Sequence, residues 1–106
     1  MVELLATNPA KLFGLYPRKG TIAVGSDADI VVFDPEHRET ISAATQHSRS
    51  DYNLFEGTEV TGAVELVLLR GQVLVEGDEL VAKPGVGQFV QRARFGEELK
   101  PERVPV

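Results

Sequence analysis

His37 and His47 are the two histidines of this chain, and histidine is the commonest side chain at protein metal sites. They lie in one polar stretch with three acidic neighbours, Asp34, Glu36 and Asp51. A catalytic zinc site needs three or four ligands held by rigid elements, and the sequence contains no His-x-His pair and no His-Glu-x-x-His motif. We therefore interpret both histidines as exposed loop residues beside ordinary turn acids, and we predict no metal ligand.

Three serines, Ser42, Ser48 and Ser50, fall in the same polar stretch. A serine nucleophile needs a neighbouring base and a strained turn such as Gly-x-Ser-x-Gly, and none of the three has that sequence context. We interpret them as loop and capping residues. The chain has no cysteine, which excludes a thiolate nucleophile, a thiolate metal site and a disulfide scaffold. We predict no catalytic residue in this chain.

Two stretches with glycines superficially resemble ligand-binding loops. Gly85–Gly87 is a partial phosphate-binding pattern, but it lacks a third glycine and a strong preceding strand. Gly25–Asp29 resembles an acidic calcium loop without the later bidentate glutamate and without the right spacing. We interpret both as turns and predict no cofactor-binding residue.

Charge is unevenly distributed along the chain. Its 106 residues are enough for one domain, the formal net charge is −5, and residues 1–82 hold 13 acidic against 6 basic side chains. The mildly basic residues 83–106 include two phenylalanines close to two arginines (Phe89, Phe95, Arg92, Arg94). An acidic body argues against nucleic acid as a partner, so we interpret these aromatics as anchors for a protein surface. The tail is either a solvated end or an arm that docks on an acidic neighbour, another copy of this body included.

The longest apolar runs, Ile30–Phe33 and Leu66–Leu69, are far too short to span a bilayer. The first residues also lack the charged-then-apolar pattern of a signal peptide. We expect no membrane association and a cytoplasmic protein.

The first residues are good helix formers, but a capped helix start occurs only at Asn8, which precedes Pro9. We predict that Asn8 caps a helical turn from Ala10 to Phe13 and that Gly14 ends it in the left-handed conformation.

Strand patterns begin at Gly20. Thr21–Val24 alternates as a strand does, Gly25–Asp27 is a turn, and Ala28–Phe33 is an apolar strand that we expect Asp34-Pro35 to end. The unbroken run Ile30–Phe33 predicts a strand covered on both faces. Residues 35–62 are predicted to be irregular, with short extended pieces near 40–41 and 60–61.

The clearest strand pattern lies in the second half. Val64–Leu69, Val73–Val75 and Leu80-Val81 are predicted to pair antiparallel, with turns at Arg70-Gly71 and Gly77-Asp78. The fold class is therefore mainly β with short N-terminal helices (α+β). So small a sheet needs a second layer to cover it, and after residue 24 the sequence offers no candidate except the sheet's own strands and the tail. We expect a piece of a larger protein.

The stretch Asn8–Pro35 (NPAKLFGLYPRKGTIAVGSDADIVVFDP) is similar to the C-terminal segment of D-hydantoinases and dihydropyrimidinases, which are cyclic-amide hydrolases of the amidohydrolase superfamily. The similarity continues in Asp51–Gly57 (DYNLFEG), Leu69–Val73 (LRGQV) and Lys83–Phe89 (KPGVGQF), and covers residues 3–95. Many amidohydrolases share the GSDADI motif, whereas YPRKG together with DYNLFEG is much narrower.

The resemblance implies a parent with a metal-bearing (β/α)₈ barrel and a β-sandwich composed from both ends of the chain. The two-metal centre, usually zinc, is held by residues upstream of the matched segment. No ligand can be placed on this sequence: His37 and His47 match no ligand motif, and Lys11 and Lys19 are not the bridging lysine.

By this resemblance residues 1–19 are a helical remnant of the barrel end, 20–82 a segment of the sandwich, and 83–106 an extended tail used as an inter-subunit arm. The catalytic barrel is absent. We expect a non-catalytic C-terminal fragment of a hydantoinase- or dihydropyrimidinase-like hydrolase, inactive alone, that completes the sandwich and the oligomer. Its partner is a second copy of itself or the missing N-terminal part of the parent. The alternative is a free-standing protein-interaction module related to non-catalytic dihydropyrimidinase-like proteins.

Overall fold

A computed structural model of the chain describes residues 1–97. They form two compact units: residues 1–29 with 85–97, here called the helical unit, and Ile30–Pro84, here called the sheet unit. The boundaries between these units lie at 29/30 and 84/85. The boundaries predicted from sequence, at 19/20 and 82/83, divide the chain by its place in the parent protein, and they stay a prediction. No helix among the described residues is long and apolar enough to cross a membrane.

The helical unit begins with a π-helix, Glu3–Thr7, that continues directly into helix α1, Asn8–Leu12. Asn8 has helical backbone angles and its N–H donates to the carbonyl oxygen of Glu3, so the prediction of Asn8 as a capping residue is wrong. Pro9 explains the wide turn, because it lacks an N–H and its ring crowds the carbonyl four residues earlier. The predicted left-handed helix end is confirmed, with φ of 70° at Gly14.

Residues 20–29 form a loop. The turn at Gly25–Asp27 is confirmed, with the N–H of Ser26 donating to Ala23 at 3.1 Å. The predicted strand Thr21–Val24 is wrong, because a strand needs a partner and none lies beside this segment within residues 1–97.

The sheet unit is a four-stranded antiparallel sheet in the order β1-β2-β3-β4. Its strands are β1 (Ile30–Thr40), β2 (Glu59–Leu69), β3 (Gln72–Glu76) and β4 (Glu79-Leu80). Both predicted hairpin turns are confirmed. Arg70 and Gly71 have φ of 48° and 81°, the two positive values that a tight type I′ turn requires.

Strand β1 is longer than predicted. It passes through Asp34-Pro35, and its pairing with β2 jumps from Asp34↔Ala63 to Arg38↔Thr61. Since Pro35 cannot donate to the ladder, an irregularity at this point carries the strand past it. The prediction that Asp34-Pro35 ends the strand is wrong, and so is that of irregular structure at 35–39. The extended pieces predicted near 40–41 and 60–61 are confirmed at Thr40, the last residue of β1, and at Val60-Thr61 in β2.

Very little of the chain is buried. Ala10 is the only buried apolar side chain within residues 1–97. Val31, Val32 and Phe33 are 58%, 40% and 46% exposed, so the expectation that β1 is covered on both faces is wrong for the chain alone. The ring of Phe33 lies over Gly62, where an added Cβ would come within 2.5 Å of Cζ.

Candidate functional site

The histidines and acidic residues considered above as possible metal ligands do not form a site. His37 is exposed on β1 rather than in a loop, which corrects that part of the interpretation, and His47 is exposed in the β1–β2 connection. Within residues 1–97 no three His, Asp or Glu side chains form a group that could hold a metal ion. These residues do not fit the two-metal centre that the resemblance implies for a parent.

The acidic residues of Gly25–Asp29 are engaged by cations of the protein itself. Asp27 Oδ2 lies 3.1 Å from Arg18 Nε and 2.7 Å from Lys19 Nζ, and Lys19 also pairs with Asp29. Burial alone would raise the pKa of Asp27, but hydrogen bonds and charges of Lys19 and Arg18 outweigh it and lower the pKa. Burial alone would lower the pKa of Lys19, but hydrogen bonds and charges of Asp27 and Asp29 outweigh it and raise the pKa. The cluster is an ion-paired clamp.

Backbone and hydroxyl hydrogen bonds tighten the same loop. The N–H of Asp27 donates to Arg18 at 2.9 Å, and Ser26 Oγ donates to the carbonyl of Pro17 at 2.7 Å. Thr7 Oγ1 donates to the carbonyl of Gly20 at 2.8 Å. The loop tip nevertheless exposes Ile22 and Val24 almost entirely. A polar clamp therefore holds two apolar side chains in water.

An apolar groove lies on the helical unit between its helix and its tail. It has a volume of about 560 Å³ and its walls include Leu4, Leu12, Phe13 and Phe95. The same four side chains are exposed. Lys11 also lines the groove, with its Nζ 4.9 Å from the centre of the Tyr16 ring.

The connection between β1 and β2 is a closed loop. Glu56 accepts hydrogen bonds from Ser42 Oγ at 2.8 Å and from the N–H of Ala43 at 2.6 Å, and the backbone bond is the larger cause of its lowered pKa. The N–H of Gly57 donates to Ile41 at 2.8 Å. The role of Glu56 has no local sequence signal, because its partners Ser42 and Ala43 lie far from it along the chain.

The loop serines have structural hydrogen bonds. Ser48 Oγ accepts the N–H of Ser50 at 3.0 Å, and Ser50 Oγ donates to the carbonyl of Tyr52 at 3.1 Å. The β1–β2 connection exposes three large apolar side chains, Tyr52, Leu54 and Phe55, as the loop with the ion-paired clamp exposes Ile22 and Val24. In both loops, hydrogen bonds or ion pairs fix the polar residues while apolar side chains stay exposed.

Similarity to known proteins identifies the family. The model of the amidohydrolase family matches residues 1–74. The chain belongs to the amidohydrolase family. Within this family it is 55% identical to the D-hydantoinase of Geobacillus stearothermophilus over 97% of this chain and 22% of that one. It is 47% identical to the dihydropyrimidinase of Rattus norvegicus over 91% of this chain and 18% of the relative.

A solved D-hydantoinase structure shares the fold of this amidohydrolase-family chain. The two superpose with a TM-score of 0.86 at 53% identity, over 91% of this chain and 21% of the other. The predicted resemblance to hydantoinases and dihydropyrimidinases is thereby confirmed, as is the mainly antiparallel sheet with a short helix. The chain spans about a fifth of the length of the relatives it matches.

Proposed function

We propose that this chain is the non-catalytic C-terminal share of a hydantoinase- or dihydropyrimidinase-like hydrolase that cleaves cyclic amide C–N bonds in the cytoplasm. Its role is structural: it completes a composite β-sandwich and contributes to the oligomer. Residues 83–106 are the arm for a subunit contact.

One observation carries this proposal. The chain keeps the fold of a solved D-hydantoinase over 91% of its length, yet within residues 1–97 it buries only one apolar side chain. Each large apolar side chain left in water forfeits about 1.5–3 kcal/mol of burial free energy. The burial free energy forfeited by a few such side chains equals the whole free energy of unfolding of a small domain, about 5–15 kcal/mol. A surface of this kind is expected where further protein covers it.

The likeness also supports the assignment of substrate class to the parent. The relatives are named D-hydantoinase and dihydropyrimidinase, so hydantoin and dihydrouracil are the substrates to assay. No group of this chain is assigned to the chemistry. The Ser42 hydroxyl donates to Glu56 and has a loop-closing role.

Complementation tests the proposal. We would prepare the D-hydantoinase of Geobacillus stearothermophilus without the fifth that matches this chain, and add the chain in trans. The expected result is co-elution of the two and a gain of hydantoin hydrolysis that neither shows alone. Absence of both binding and activity, with the sheet of the chain intact by circular dichroism, would contradict the proposal.

A matched pair of variants locates the contact. Ile22→Asp places a charge on a side chain that is 82% exposed, so the isolated chain keeps its circular dichroism spectrum. Complementation is lost because the charge would be buried against the added protein. Gln46→Asp introduces the same charge in the exposed β1–β2 connection and retains complementation. Equal complementation by both variants would rule out the clamped loop as a contact.

A free-standing interaction module is the second candidate. The ion-paired clamp favours it, because rigid polar support under Ile22 and Val24 is what a pre-organised binding loop needs. Under this alternative the chain would bind a partner unrelated to hydrolases and would fail to complement the truncated enzyme.

A further inference from the structure

The sheet unit carries apolar side chains on both faces of its sheet. Successive residues of a strand point to opposite faces, and residues directly paired across two strands share a face. Strand β1 therefore places Val31 and Phe33 on one face, here called the first face, and Ile30 and Val32 on the other, here called the second face. An antiparallel sheet with one face in water alternates apolar and polar residues, and these four residues do not alternate.

The first face is apolar across all four strands. The row that begins at Val31 continues through its direct partners in β2, β3 and β4, which are Val67, Val75 and Leu80. The two ends of this row, Val31 and Leu80, are 58% and 60% exposed. The described part of the chain therefore leaves the first face uncovered from one edge of the sheet to the other.

The second face is apolar over only part of the sheet. The row that begins at Val32 continues through its partners Leu66, Glu76 and Glu79, so it changes from apolar to acidic at β3. Two carboxylates directly opposite each other repel, and burying them away from water would cost further free energy. The acidic end of the second face therefore belongs in water, whereas Val32, which is 40% exposed, has no such reason to stay there.

We infer that the rest of the parent protein covers this sheet on both faces, with one layer over all four strands of the first face and a shorter layer over β1 and β2 of the second face. The inference rests on the proposed function and goes beyond it, because a β-sandwich needs a cover on one face of each sheet only. In the parent the sheet is an inner layer, and its acidic end on the second face marks where the shorter cover stops.

The length of the relatives points to the rest of the parent as the occupant of both faces. The chain spans 22% of the D-hydantoinase of Geobacillus stearothermophilus, so most of such a protein lies outside it. Further copies of this chain fit less well. Each copy carries a formal charge of −5, so two copies repel, and copies stacked on both faces of one sheet would give an open array rather than a closed assembly.

Because the chain has no cysteine, a single introduced thiol reports the cover on each face. Val31→Cys and Leu80→Cys report the first face, Val32→Cys the second face, and Glu79→Cys its acidic end. All four positions are exposed in the chain alone. Each full-length variant, with its circular dichroism checked, would be mixed with the truncated D-hydantoinase. The rate of alkylation by iodoacetamide, measured on this chain by mass spectrometry, is compared with that of the variant alone.

Binding to the truncated enzyme is expected to slow alkylation by about tenfold or more in Val31→Cys, Leu80→Cys and Val32→Cys, and to leave the rate in Glu79→Cys unchanged. The neighbours Leu80 and Glu79 are a matched pair, since they lie on opposite faces of the same two-residue strand.

Three results would overturn the inference while the proposed function stands. They are slowing on one face only, slowing in Glu79→Cys, and slowing in the chain alone as its concentration rises, which would assign the face to a second copy. Failure of the unmodified chain to co-elute with the truncated enzyme would instead reject the proposed function, and this inference with it. Co-elution of the unmodified chain therefore distinguishes the two kinds of failure.

Discussion

The carbonyl oxygen of Gly14 accepts a hydrogen bond from the N–H of Ala93 at 2.8 Å, and a Cβ at Gly14 would lie 2.3 Å from the carbonyl oxygen of Ala93. The tail therefore reaches the end of the helix only because residue 14 has no side chain. This backbone-to-backbone contact joins two distant parts of the helical unit.

Gly14→Ala tests this contact. The substitution adds the clash with Ala93 to the cost of a left-handed alanine, and we expect a loss of about 1–3 kcal/mol with release of residues 85–97. Amide hydrogen exchange at Ala93 is the measurement. Gly57→Ala is the control, since Gly57 has φ of 79° and a Cβ there would meet nothing within 4 Å. Equal protection of Ala93 in both variants would contradict the prediction.

The ion-paired clamp predicts a dependence of stability on pH. The pKa of Asp27 is lowered in the folded chain from its usual 3.8, so its contribution is present above that pH and is lost as the pH falls through the lower folded value. We expect Asp27→Asn to cost about 1 kcal/mol at pH 7 and less at pH 2. Urea unfolding at both pH values measures it.

Asp51→Asn is the control for the clamp, because Asp51 is exposed in the β1–β2 connection. It is expected to leave the free energy of unfolding unchanged at pH 7. A penalty for Asp27→Asn that is the same at both pH values would show that the clamp acts through shape rather than charge.

Glu56 predicts a local titration in the β1–β2 connection. Its carboxylate accepts the N–H of Ala43, which lowers its pKa below the usual 4.5. The Ala43 amide resonance is expected to titrate with a midpoint below that value and to stop titrating in Glu56→Gln. Glu65→Gln on β2 is the control and leaves the titration unchanged. A midpoint above 4.5 would contradict the hydrogen bond.

The chain alone is expected to hydrolyse neither hydantoin nor dihydrouracil and to bind no stoichiometric zinc. The reason is that no group of metal ligands occurs in residues 1–97, and that the carboxylate beside the Ser42 hydroxyl, Glu56, is engaged in closing the loop on Ala43. Elemental analysis and ring-opening assays measure this. About one metal per chain, lost in a His37→Ala, His47→Ala double variant, would contradict the prediction.

Local signals were enough to predict the hairpins of the second half. Arg70-Gly71 and Gly77-Asp78 are tight turns between alternating apolar runs, and both halves of that pattern lie within a few residues of each other. Gly14 likewise ends a helix by its own backbone freedom. Motifs such as DYNLFEG also indicated the family, because a motif is recognised from the sequence without the structure.

Only the tertiary structure decided the features that depend on a partner. Thr21–Val24 has the alternation of a strand but no strand beside it within the described residues, so it lies in a loop, and the clamp joins the residues on either side of it. Strand β1 passes Pro35 because β2 continues alongside it, and Asn8 continues a helix because the π-helix precedes it. Hydrogen-bond partners supplied from elsewhere in the chain are invisible to a local pattern, and they determined each of these outcomes.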